Sequence, residues 1–154
     1  FAAYRVNVSR VANQLSMAGR KEDAKRILNR VDSMLSQSSY PYNPYTLEMF
    51  DASAYFMATA YYNAGDNVKA AKVASQFVEN LEKDIAWILS LGDDGKEQLT
   101  RDAQQDVSLI NEFSRLAQSR GDTAFAKKMN DKTDMLIQKM SKELNMESMM
   151  GPRQ

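Results

Sequence analysis

The chain contains no cysteine and no histidine. Without cysteine there are no disulfides, no thiolate nucleophile and no zinc-thiolate site. Without histidine there are no imidazole metal ligands, no Ser-His catalysis and no histidine-based pH switch. Glycine and proline are scarce, six and three in 154 residues, a mix that suits helices and disfavours β-rich architectures. Net charge is absent as well, because 20 basic residues balance 20 acidic ones. A neutral chain has no general electrostatic claim on nucleic acid. Long apolar runs are missing too: the longest, Ala54 to Tyr62 with one threonine, is far too short to span a bilayer. No signal-peptide pattern is visible. The chain opens at Phe1 directly into a helical pattern, which reads as a piece of a longer protein whose targeting or membrane segment would lie upstream.

What is present is a hydrophobic fraction of 44% and a charged fraction of 26%, enough for one globular domain with a core. Helical periodicity predicts six helices. The first runs over about 3–17 with Val8, Val11, Ala12 and Leu15 inward, and the second over about 21–36 with Ala24, Ile27, Leu28, Val31 and Leu35. A Tyr/Pro linker follows, and Asn43-Pro44 reads as N-cap and first helical residue of the third helix, which carries Phe50, Ala54, Met57, Ala58 and Tyr61 and ends near Asn63. The fourth helix runs to about Leu91 on a stripe of Ala70, Ala74, Phe77, Leu81, Ile85 and Ile88. Gly92-Asp-Asp-Gly95 reads as a break before a fifth helix carrying Leu99, Ala103, Val107, Ile110, Phe113 and Ala117. The sixth carries Phe125, Ala126, Met129, Leu136, Ile137 and Met140, and 146–154 reads as a flexible tail.

The helices fall into three antiparallel hairpins, about 3–36, 44–91 and 97–144, forming one domain over 1–145. Gly19 precedes Ala24, Gly65 precedes Ala70 and Gly121 precedes Ala126, each by five residues. The glycine allows a tight turn, and the alanine marks where two helices approach closely. Seven residues before each glycine stands another small residue: Ala12, Ala58 and Ser114. The pattern resembles the tetratricopeptide repeat, a right-handed helical repeat, with the middle copy the best match. Asn130 and Thr133 depart from it in the third copy, where apolar and small residues are expected. The spacing is irregular: successive glycines lie 46 and 56 residues apart, against about 34 in regular arrays.

The segments "YRVNVSRVANQLSMAGRKEDAKRILNRVDSML", "YPYNPY", "ASAYFMATAYYNAGDNVKAAKVASQFVENLEKDIAWILSL" and "GDTAFAKKMNDKTDML", in that order, resemble the C-terminal soluble region of bacterial multi-spanning proteins similar to protein O-mannosyltransferases. That resemblance implies a glycosyltransferase-like parent in the inner membrane, with this domain on the periplasmic side. It carries no catalytic residue onto this chain.

Candidate residues follow from these readings. The domain is expected to be non-catalytic, with no metal and no cofactor, and to dock a protein or its own upstream membrane domain. The docking face would be lined by first helices of the hairpins, through Tyr55, Thr59, Tyr62 and Asn63. Tyr42, Tyr45 and Trp87 offer a glycan-binding alternative, because tyrosine and tryptophan give rigid amphipathic contact area. Each also has a packing explanation: the linker tyrosines as a lid, and Trp87, roughly 120° off its helix's stripe, as a contact for the fifth helix or for a neighbour outside this chain. Arg20, Lys21, Lys25, Arg26 and Arg30 form a basic cluster, either a solvated face or a surface for anionic headgroups. A free-standing soluble adaptor is the remaining alternative. Asp93-Asp94 and the pair Asp131 and Asp134 are the carboxylates considered for acid-base work, against their ordinary reading as solvated charges.

Overall fold

The computed structural model describes residues 1–42 and 52–144 and is all-helical there, with six helices and no strand among the described residues. They are α1 (Ala2–Met17), α2 (Lys21–Met34), α3 (Ser53–Asn63), α4 (Asn67–Ser90), α5 (Asp93–Ser119) and α6 (Thr123–Glu143). Asn43-Pro44, Tyr45, Phe50 and the tail at 146–154 lie outside the described residues. The contacts divide the chain into two compact units, Phe1–Asn80 and Leu81–Gln154, with the boundary falling inside α4.

The turns after α1, α3 and α5 share one construction. Gly19, Gly65 and Gly121 are left-handed, with φ of 78°, 80° and 77°. Each glycine N–H donates to the carbonyl three residues back: Ser16 (3.1 Å), Tyr62 (2.9 Å) and Gln118 (3.1 Å). The next N–H donates five residues back, from Arg20 to Leu15 (2.8 Å), Asp66 to Tyr61 (2.9 Å) and Asp122 to Ala117 (3.0 Å). This is the Schellman motif three times over, and it satisfies carbonyls that the helix end leaves open. Asp66 and Asp122 then cap the following helices, accepting from the Lys69 N–H at 3.0 Å and the Phe125 N–H at 3.2 Å. The first turn has Arg20 at that position, and its side chain donates to Asp23 instead.

In the first unit α1 packs against α2 and α3, and α2 also touches α3. Ala12, Ala24, Ala58 and Ala70 are fully buried. The inward face of α1 is not the expected one. Arg5, Ser9, Ala12 and Ser16 are its buried residues, while Val8 and Leu15 are half-buried and Val11 is exposed. Close helix approach selects small side chains, so the small stripe wins over the more apolar one beside it. On α2, α3 and the N-terminal part of α4 the expected core positions Leu28, Val31, Met57, Tyr61, Ala74 and Phe77 are buried.

In the second unit α5 packs along α6. A buried cluster joins Ile85, Ile88 and Leu89 of α4 to Ala103 and Val107 of α5, with Met140 and Leu144 at the C-terminal end of α6. Ile137, expected in this core, is instead an exposed residue. The Ser114 hydroxyl lies 3.0 Å from the Ala126 carbonyl and 2.6 Å from Asn130 Oδ1, within donating reach of either. The small residue before the turn therefore meets the alanine after it, and Asn130, itself exposed, reaches the same hydroxyl. Thr133 donates to the Met129 carbonyl at 3.0 Å, satisfying its own polar atom inside the helix. The break expected at 92–95 is a helix start: Gly92 is the N-cap and Asp93 and Asp94 occupy the first turn, where carboxylates favour the helix dipole.

Candidate functional site

Polar side chains of α1 and α3 meet along one edge of the first unit. Asn63 Nδ2 of α3 donates to Asn13 Oδ1 of α1 at 2.8 Å. One turn back, Thr59 Oγ1 donates to the Tyr55 carbonyl at 2.8 Å. Asn13, Tyr55, Thr59 and Asn63 are all half-buried, so each keeps part of its surface in water. Spacings of four residues along α3 put Tyr55, Thr59 and Asn63 on one face. The amides also keep hydrogen-bonding capacity beyond their mutual bond. Tyr62, expected beside them, is buried. These four residues thus lie on one edge of the first unit, and Asn13 is one that sequence reading passed over; its signal was its register match to Thr59, both six residues before their turn glycines.

The linker tyrosines divide. Tyr45 lies outside the described residues. Tyr42 is 1% exposed and belongs to the interior. Its N–H donates to Gln37 Oε1 at 2.9 Å, and its carbonyl accepts from Asn80 Nδ2. The Arg5 guanidinium lies over its ring, 4.1 Å from the centroid. Arg5 itself is 2% exposed and donates to the carbonyls of Leu35 (3.0 Å) and Tyr40. A buried cation satisfied by carbonyls and an aromatic face ties the segment after α2 to the start of α1. Phe1 adds a ring contact to Tyr40 with centroids 4.1 Å apart. Sequence reading missed Arg5 altogether; its place on the small stripe with Ser9, Ala12 and Ser16 was the available signal.

Trp87 is 58% exposed on α4, in the second unit. The basic cluster is partly neutralised within its own helix. Arg20 and Arg26 both bridge Asp23, at 2.7 and 2.5 Å, and Lys25 bridges Glu22 at 2.9 Å. The hydrogen bond from Arg20 holds the Asp23 carboxyl below its ordinary range, and the bond to Glu22 raises the Lys25 ammonium. Lys21 and Arg30 are exposed. Asp131 and Asp134 are also exposed, and Lys127 bridges Asp131 at 3.5 Å. Among the described residues no cluster of three or more carboxylates could hold a metal ion, and no helix is long and apolar enough to cross a membrane.

Comparison with protein-family models, with curated proteins and with solved structures finds no match.

Proposed function

We propose that the chain is a non-catalytic, tetratricopeptide-like docking domain built from helical hairpins, and that its partner face is the α1–α3 ledge of Asn13, Tyr55, Thr59 and Asn63. The observation that carries the reading is the Asn63–Asn13 bond, which aligns half-exposed amides on two neighbouring first helices. The thrice-repeated turn, with small residues buried seven before and five after each glycine, supports the repeat beneath it. Side-chain amides can both donate to and accept from a peptide backbone, so the ledge suits an extended peptide. Residues 36–68 contain no lysine or arginine and three acids, which favours a neutral or weakly basic one. The resemblance to glycosyltransferase-like membrane proteins extends this proposal to a periplasmic partner, or to the parent's own membrane domain.

The glycan alternative is left with less support, because Tyr42 is inside and packed under Arg5. Selection of extended peptides from a randomised library tests the proposal. Selected peptides should bind the wild-type chain and lose at least about tenfold in affinity on Thr59→Arg and Asn63→Ala, with the far-UV circular dichroism unchanged. Binders indifferent to both variants contradict the ledge.

A further inference from the structure

Asp84 and Trp87 stand one turn apart on α4, in the second unit. Each carries a cost. Trp87 leaves 58% of its surface in water, so most of a large apolar ring goes unburied. Asp84 is half-buried and, among the described residues, makes no hydrogen bond or ion pair. Burial pushes its carboxyl above the ordinary range. The charge along this stretch has one sign. Residues 84–95 contain Asp84, Asp93 and Asp94 and no lysine or arginine. Asp93 and Asp94 are exposed in the first turn of α5. That turn lies against Leu91, one turn beyond Trp87: a Cβ on Gly95 would stand 3.1 Å from the Leu91 Cβ. Lys96, the next base in the chain, is tied to Glu143 at 3.6 Å, and Lys132 of α6 is tied to Glu82 of α4. Lys83, one turn before Trp87, is exposed. Among the described residues the one cation found over an aromatic ring is Arg5, on Tyr42.

We infer that Trp87 and Asp84 form a seat for an arginine side chain of a partner polypeptide. A guanidinium is planar and weakly hydrated, stacks on aromatic faces and offers a fork of N–H donors to a carboxylate. Three-residue spacing on a helix sets the two Cβ atoms about 5–6 Å apart, so one guanidinium reaches both side chains. It covers the indole and brings the Asp84 carboxylate the charge and the donors it lacks. A sugar would cover the ring and leave the charge unmatched. A lysine ammonium would match the charge without the planar stack. The chain holds the same kind of contact in its own interior, where the Arg5 guanidinium lies 4.1 Å from the Tyr42 ring centroid and donates to two carbonyls. At Trp87 the acceptor is a carboxylate and the ring faces water.

The seat lies in the second unit and uses neither Asn13 nor Asn63, so it and the α1–α3 ledge fail separately. Trp87 is the single tryptophan of the chain, and its fluorescence reports occupancy directly. The probes are N-acetyl-arginine amide, its lysine and uncharged citrulline counterparts, and a methyl glucoside, each taken to about 100 mM at constant ionic strength. The arginine probe should give a saturating change at lower concentration than the lysine probe, and the citrulline and sugar probes should give none that saturates. Asp84→Asn should weaken arginine binding by about threefold with the circular dichroism unchanged, and Lys83→Gln should not weaken it. A response that is linear for every probe, as collision alone gives, overturns the inference. So does a sugar that saturates, a lysine probe that binds as tightly as arginine, or arginine binding indifferent to Asp84→Asn. Fluorescence that changes with chain concentration alone would make the occupant a second copy and overturn it too.

Discussion

Arg5 shows how one side chain can hold a segment that has no regular structure. Its guanidinium combines two backbone carbonyls with an aromatic face, joining α1 to the stretch from Leu35 to Tyr42. Arg5→Met should cost about 2–4 kcal/mol, because two buried acceptors lose a charged donor and the Tyr42 ring loses its cation. Arg5→Lys should recover only part, since an ammonium lacks the planar fork. Thermal or urea unfolding of the three chains checks the order wild type, Lys, Met. Tyr61 gives a second test. Burial raises its phenol above the ordinary value of 10.0, with the Asp32 charge adding to the effect. The unfolded chain therefore releases this proton first, and stability should fall as pH rises above about 10. Tyr61→Phe should lower stability by roughly 1 kcal/mol at neutral pH, by loss of the bond to Asn29, and should flatten that alkaline fall. Arg5 was not legible as a core residue, because charge argues for the surface and its partners are carbonyls that no side-chain pattern reveals.

The helices and their ends were far more legible. Three glycines in three turns were readable because this kind of turn needs a left-handed residue, and glycine adopts that conformation without a Cβ clash. An added Cβ would meet nothing within 4 Å at Gly19, Gly65 or Gly121. Alanine at each should therefore cost only the left-handed strain, about 1–2 kcal/mol, and nearly the same amount at all three sites. Unequal losses by chemical denaturation would show that the turns are not equivalent. At the close-approach points the opposite holds. Ala126→Leu should be destabilising by about 1–3 kcal/mol, because the Ser114 hydroxyl already lies 3.0 Å from the Ala126 carbonyl. The packing face of α1 was misread for a definite reason. Periodicity locates an apolar stripe but does not say whether it faces inward, and here the stripe one residue along, with Ser9, Ala12 and Ser16, allows the closer approach. The start of α5 was misplaced because two glycines within four residues resemble a loop, whereas Gly92 caps and Gly95 is absorbed into the first turn.

At the scale of the molecule, the two units share a vocabulary of turns and small-residue contacts but differ in what their surfaces offer. The first unit carries the amide ledge and the exposed Tyr4 and Val11 of α1; the second carries the α4–α5–α6 apolar cluster and the exposed Trp87. The ledge was partly legible, since Tyr55, Thr59 and Asn63 fall on one helical face of the sequence. Its completion by Asn13 required the packing of α1 on α3, which depends on contacts 50 residues apart in the chain. The most direct test of the docking account is NMR mapping of the chain titrated with a selected peptide. The account predicts that the largest amide and side-chain shifts fall on Asn13, Tyr55, Thr59 and Asn63, whereas shifts confined to the surroundings of Trp87 on α4 would contradict it.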